Sequence, residues 1–216
     1  REAGAALAGH SDIDGVSFTG SVSAGRKVGK AAIENVTEVH LELGGKNPLV
    51  VFPDADPTIA AKNAVAGLFK ANAGQICSGA SRLLVHENIH TEFVDELLQQ
   101  TEQLTLGAGI DAPDVGPVAT RQQYETVCEY LDLGEEITGK PLTGGIADRD
   151  GFFIEPTIFD NVPHETRLAQ EEIFGPVVSV TTFASESEAV ELANDVDYGL
   201  VAGIFSNNIG RAHRFA

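Results

Sequence analysis

The sequence predicts an α/β fold with a largely parallel sheet. Strand-like and helix-like segments alternate along the chain, and neither an internal repeat nor a low-complexity tract points to an array instead. Hydrophobic residues make up 43% of the 216, enough to bury a sizeable core. In chain order, residues 16–18 read as a short strand and Thr19-Gly20-Ser21 as a turn. A helix follows to about Ile33, with Val22, Val28 and Ile33 among its apolar residues. Residues 36–43 alternate, with Val39, Leu41 and Leu43 on one face and His40 and Glu42 on the other, and Gly44-Gly45 ends that strand. Residues 48–52 form the next strand. Asp56 caps a helix that has Pro57 at its first position and runs to about Asn72. A small-residue loop, 73–79, leads to a strand over 82–86. Ile89, Phe93, Leu97 and Leu104 mark one amphipathic helix; Tyr124, Val127, Cys128 and Leu131 mark another. Strands are expected at 152–159, 177–183 and 200–205, with a helix over 186–194, and the chain stops inside what reads as a helix.

Composition narrows the function classes. Thirty-two acidic residues against 14 basic give a net charge of −18, which repels nucleic acid and anionic membrane. Dense carboxylates also suit a protein kept soluble at high salt, although an ordinary acidic chain reads the same way. Two cysteines, Cys77 and Cys128, make neither a disulfide framework nor a zinc cluster. No apolar run approaches the ~20 residues of a membrane span, and no signal peptide is visible, so the expected compartment is the cytoplasm. The chain has no methionine, even at position 1, and is expected to be a piece cut from a longer protein.

Four places carry chemistry. Cys77 sits in a loop between Gly74 and Gly79, where small neighbours admit a substrate and leave backbone N–H groups free; a thiol of pKa ~8.5 needs local activation to serve as nucleophile. A buried structural cysteine is the other reading, and the one preferred for Cys128, which lies on a helix's apolar stripe. Glu42 on its apolar strand is either a base whose pKa is raised by apolar surroundings or a strand glutamate facing solvent. Gly20 and Ser21, after a strand and at a helix start, with Gly25 further along, make either a phosphate seat or a Ser-capped helix. Glu171-Glu172-Ile173-Phe174-Gly175-Pro176 either presents a carboxylate to a ribose hydroxyl or is solvated surface.

Together these residues resemble the aldehyde dehydrogenase superfamily. The likeness runs in order through Ser17-Phe18-Thr19-Gly20-Ser21, Leu41-Glu42-Leu43-Gly44-Gly45-Lys46, Asn47-Pro48, Asp54-Ala55-Asp56 and Gly74-Gln75-Ile76-Cys77. It continues through residues 151–157 and 171–176, and through Asn194 with Tyr198-Gly199-Leu200. The resemblance implies a three-layer α/β catalytic domain over residues 44–216, preceded at residues 1–43 by the tail of a Rossmann-like domain for NAD or NADP. It implies that Cys77 attacks an aldehyde to give a thiohemiacetal and then a thioester, and that Glu42 activates the hydrolytic water. The Cys77 N–H and an Asn side chain upstream of Arg1 would hold the oxyanion. Gly20, Ser21, Gly25 and Leu43 would line the cofactor, Glu172 would bind the nicotinamide ribose, and Phe174 would pack beside it. No metal is implied.

The family implies a homodimer or homotetramer of the full-length protein. The piece alone is expected to be inactive, because residues that read the adenosine ribose lie upstream and a C-terminal oligomerisation strand lies beyond Ala216. Gly74-Gln75-Ile76-Cys77-Ser78 with residues 81–87 looks like the betaine-aldehyde and aminoaldehyde branch, while semialdehyde dehydrogenases share much of the same sequence. Two rivals stand beside this reading: a thiol hydrolase pairing Cys77 with a histidine such as His86, and a non-catalytic homologue that keeps the fold.

Overall fold

The computed structural model describes residues 2–215, and its chain divides into two compact units, 1–44 and 45–216. The first unit begins with α1 (Glu2–Ala8), a helix not foreseen from the sequence. A two-stranded parallel sheet follows, made of β1 (Gly15–Thr19) and β2 (Glu38–Glu42), joined by α2 (Val22–Ile33). The expected strand from residue 36 starts two residues later, because Val36 is exposed and has φ 57°, in the left-handed region. Leu41 and Leu43 turn toward α2, where they meet Gly29 and Gly25.

The second unit holds a six-stranded sheet with the order β5-β6-β7-β4-β3-β8. Its strands are β3 (Pro48–Val51), β4 (Arg82–His86), β5 (Thr143–Ile146), β6 (Ile154–Phe159), β7 (Val177–Phe183) and β8 (Gly203–Phe205). Every pairing is parallel except β5 with β6. The helices are α3 (Pro57–Gly67), α4 (His90–Glu102), α5 (Arg121–Thr138), α6 (Arg167–Gln170), α7 (Glu186–Asn194) and α8 (Ile209–Phe215). Central parallel strands covered on both faces read as continuous apolar runs, and β3 is buried at all four positions. Leu49, Val51, Leu83, Val85, Val178 and Val180 pack against α3 and α4, while Val50, Phe52, Leu84 and Phe183 face α7 and α8. That is a three-layer α/β sandwich. A second cluster lies where α5 crosses β6. Gly134 lets the Phe159 ring lie directly on the helix, since any Cβ there would collide with it.

The helix starts follow their side chains. Asp56 accepts from the Ile59 N–H at 3.0 Å with Pro57 in the first turn, Thr120 from Gln123 at 3.2 Å, and Ser185 from Glu188 at 3.2 Å. The helix expected to reach Asn72 stops at Gly67, where Leu68 departs from regular helical φ at −117°, and Asn72, Ala73 and Gly74 beyond it take positive φ. The strand expected from residue 200 starts at Gly203. The antiparallel edge β5 carries Gly144 and Gly145 and gives no alternating pattern to read.

Candidate active site

The loop carrying Cys77 is held from three sides. Asn72, Ala73 and Gly74 have φ of 53°, 55° and 71°, a left-handed run that persists only where surrounding contacts enforce it. The Gln75 side chain supplies one of these, donating to the Asn72 carbonyl at 3.0 Å and accepting from the Ala119 N–H at 2.8 Å. Gly74 supplies another: it lies so close to the Gly175 carbonyl and the Pro176 nitrogen that a Cβ has no room. Next comes a tight turn, in which the Gly79 N–H donates to the Ile76 carbonyl at 3.2 Å and Cys77 and Ser78 are the central residues. Cys77 is a free, partly exposed thiol, and its own N–H has no partner among the described residues. Finally, the Asn47 amide donates to the carbonyls of Cys77 at 2.7 Å and Gly79 at 3.0 Å, and its oxygen accepts from the Val201 N–H at 3.2 Å.

These contacts gather at one edge of the sheet. Asn47 immediately precedes β3, Ser81 precedes β4, Pro176 precedes β7, and Val201 lies two residues before β8. The cysteine therefore sits at the amino ends of four neighbouring parallel strands, whereas ligands of open α/β sheets usually sit at the carboxyl ends. Glu172 joins the same edge: its Oε1 accepts from the Gly45 N–H at 3.2 Å, and Oε2 has no partner among the described residues. Burial raises its pKa, against the pull of that N–H and of Lys46. Its neighbour Glu171 is solvent-exposed in part but engaged by side chains on two helices. It accepts from the Tyr130 hydroxyl at 2.5 Å and from Arg167 at about 3 Å, and the Arg167 hydrogen bonds lower its pKa. Phe174 has φ 55° and is 38% exposed, and Gln123 holds its carbonyl and that of Ile173 at 3.1 and 2.8 Å. With Gln75 and Asn72, Phe174 lines a surface cleft of about 580 Å³.

Beneath this edge lie two buried cations. Lys46 is 1% exposed and its Nζ has no partner among the described residues. Burial first, then the Arg82 guanidinium, brings its pKa down to about 7, with Glu172 and Glu171 opposing. Arg82 is fully buried and donates to the carbonyls of Leu192 at 2.6 Å and Ala193 at 2.8 Å, at the last turn of α7; burial lowers its pKa to about 10.

In the first unit, Ser21 caps α2 by accepting from the Ala24 N–H at 3.3 Å. Gly20 donates its N–H to the Glu42 carbonyl at 3.0 Å, which fixes the turn after β1. Gly25 is buried, and a Cβ there would lie 2.5 Å from Leu43 Cδ2, so within this unit the pair serves helix–strand packing. A cavity of about 620 Å³ opens between α1 and α2, lined by Ala5, Ala8, Ser21, Lys27, Val28 and Ala31 among others. Sequence reasoning missed this cavity because α1 was not foreseen. Of the two readings of Glu42, the solvent-facing one describes it within its own unit. Leu41 and Leu43 face α2, so Glu42 points to the uncovered face of a two-stranded sheet and is exposed.

The structure thus brings Cys77, Phe174 and Glu172 together at the amino edge of the large sheet, and places Glu42, Gly20, Ser21, Gly25 and Leu43 in the smaller unit. Cys128 packs at the edge of the second core cluster. His86 ends β4, four residues or about 13 Å along the strand from the edge where the Cys77 loop sits, packed against Phe183. Asn47 and Gln123 were missed as supports of the site. The signal for Asn47 was an amide next to Gly-Gly, ahead of a buried strand. Among the described residues no helix is long and apolar enough to cross a membrane.

The aldehyde dehydrogenase family model matches residues 1–216. The chain is 44% identical over 216 residues to a betaine aldehyde dehydrogenase of Bacillus subtilis, covering 97% of this chain and 44% of the relative. It is also 44% identical, over its whole length, to a chloroplastic aminoaldehyde dehydrogenase of Arabidopsis thaliana. Among solved structures, betaine aldehyde dehydrogenase from Staphylococcus aureus in complex with NAD+ superposes with TM-score 0.92 at 41% identity, covering 98% of this chain and 43% of that one. A putative aldehyde dehydrogenase from Burkholderia cenocepacia gives 0.94 at 38% identity, covering 99% and 45%. The chain therefore spans less than half the length of the relatives it matches. A family model covering every residue, and relatives above 40% identity across nearly the whole chain, place it in the aldehyde dehydrogenase family.

Proposed function

We propose that the protein containing this chain oxidises an aldehyde to a carboxylic acid with NAD+ or NADP+, using Cys77 as nucleophile. The observation that carries the proposal is the Cys77 turn: a partly exposed free thiol at the tip, an N–H without a partner beside it, and a backbone pinned by Asn47, Gln75 and Gly74. The thiolate adds to the aldehyde carbon, and the Cys77 N–H is positioned to stabilise the oxyanion. NAD+ or NADP+, when bound, would supply the acceptor for the hydride that leaves the aldehyde carbon, leaving a thioester on Cys77. Glu42 takes a proton from water, whose oxygen attacks the thioester carbon and releases the carboxylate and the Cys77 thiol.

The residues present suit such a cofactor. The 620 Å³ cavity borders the Ser21-capped start of α2, whose N–H groups and dipole favour a phosphate. Glu172 keeps one carboxylate oxygen for a ribose hydroxyl, with Phe174 beside it. We assign the substrate to the betaine-aldehyde and aminoaldehyde class, supported by the two relatives bearing those names. We also assign a homodimeric or homotetrameric state to the full-length protein, and adaptation to high salt, supported by the charge of −18.

The test is an aldehyde panel with both cofactors on the full-length protein beside its Cys77→Ala variant. Aldehyde-dependent reduction of NAD+ or NADP+ should vanish in the variant, along with the covalent adduct seen by intact mass. Full activity in Cys77→Ala overturns the proposal. The thiol-hydrolase alternative is disfavoured by the distance of His86 along β4, and His86→Ala should leave activity within about twofold.

A further inference from the structure

Resting on the reading of Cys77 as nucleophile, we propose that Asn47 is a positioning residue that locks the central peptide of the turn carrying the nucleophile. Cys77 and Ser78 are the two central residues of the turn closed by Gly79 N–H to the Ile76 carbonyl. The peptide between the central residues is the soft point of such a turn. Flipping it changes ψ of the first by about 150° and interconverts the two common turn types. Its carbonyl is the Cys77 carbonyl, which takes the Asn47 amide at 2.7 Å. The same amide takes the Gly79 carbonyl at 3.0 Å, so one NH₂ group bridges both sides of Ser78. The Asn47 oxygen is fixed in turn by the Val201 N–H at 3.2 Å, in the segment leading to β8.

Two further observations fit this assignment. Asn47 is 2% exposed, and its three side-chain bonds all go to backbone groups outside the strand ladders, so it ties the Cys77 turn and the segment before β8 to the start of β3. Gly45 closes the other side of the clamp: a Cβ there would lie 2.7 Å from Asn47 Oδ1 and 2.9 Å from the Cys77 carbonyl. Asparagine is the short uncharged side chain that offers two donors and an acceptor, whereas serine offers one donor and shorter reach. With the flip blocked, ψ of Cys77 is fixed and the peptide made of the Cys77 carbonyl and the Ser78 N–H keeps one orientation, so the turn that carries the thiol keeps one shape, which is what a positioned nucleophile needs.

The experiment compares Asn47→Ala and Asn47→Ser with the unsubstituted full-length protein, reading turnover, the NADH burst, KM for cofactor, and alkylation of each cysteine by iodoacetamide. Asn47→Ala should lower kcat and the burst rate by about tenfold or more with KM for cofactor within about twofold, and Asn47→Ser should fall between. Cys77 should alkylate about threefold faster once its turn is loosened, while Cys128, on a different element, stays unchanged and serves as an internal control. Unchanged kcat and Cys77 labelling in a folded variant overturns the proposal. So does parallel acceleration at both cysteines, which marks general loosening. If Asn47→Ala does not fold, the Ser variant decides by the same readouts. If the unsubstituted protein oxidises no aldehyde, the functional reading fails while the two labelling rates still report on the clamp.

Discussion

Gly74 and Gly175 meet backbone to backbone, so closely that a side chain on Gly74 would strike the Gly175 carbonyl. These glycines belong to two motifs a hundred residues apart in sequence. Their contact couples the loop carrying Cys77 to the segment carrying Glu172 and Phe174. Gly74 also has φ 71°, so two independent demands exclude a Cβ. Gly74→Ala should therefore cost about 3 kcal/mol or more in a urea titration. Among molecules that remain folded, turnover should fall together with cofactor affinity, because both motifs move. Wild-type stability in the variant would show that the contact is dispensable.

Glu42→Gln separates the two halves of the proposed reaction. The amide cannot take a proton from water, so thioester hydrolysis should slow by about 10²- to 10⁴-fold while acylation proceeds. One equivalent of reduced cofactor per active site should appear in a burst, and intact mass should show an acyl group that Cys77→Ala lacks. A variant that turns over steadily at the parental rate would remove Glu42 from the mechanism.

Lys46 gives stability a pH dependence of known sign. Its pKa is about 7 in the folded chain and ~10.4 in an unfolded one, so as pH falls from 10 to 7 the unfolded chain takes up the proton first and gains relative to the native state. Below 7 both states are protonated and the penalty is constant. Lys46→Met removes this dependence. Its stability advantage over the parent should grow by a few kcal/mol between pH 10 and 7, then level off. Burial sets most of the shift; Arg82, which adds to it, and Glu172 and Glu171, which oppose it, are retained in both proteins and keep their charges through most of the range between pH 7 and 10. Urea midpoints at four pH values measure it, and a pH-independent gap would show that the amine is charged throughout.

Arg82→Met should cost about 2–4 kcal/mol, because two buried carbonyls at the end of α7 lose their donors while the methionine fills the space. Hydrogen exchange should rise first in residues 190–196. Equal protection there in both proteins would mean that water replaces the guanidinium.

The nucleophile, base and cofactor contacts were named from resemblance to a family's motifs; what the sequence by itself determined was local: alternating strands and helices, the Asp56 cap with Pro57 behind it, and the strand at residues 48–52. These follow from spacing and side-chain chemistry over a few neighbours. The overextended helix before Asn72 and the unread strand β5 mark where that logic stops, since left-handed backbone and glycine-rich pairing are imposed by contacts distant in sequence. The tertiary structure alone decided that Asn47, Gln75, Gly74, Gly175 and Val201 converge on one turn at the amino ends of four parallel strands. It alone left Glu42 exposed on the open face of its own unit and drove Lys46 and Arg82 into the interior. Strand order and burial decide such matters, and both arise from packing elements whose neighbours in space are not neighbours in the chain.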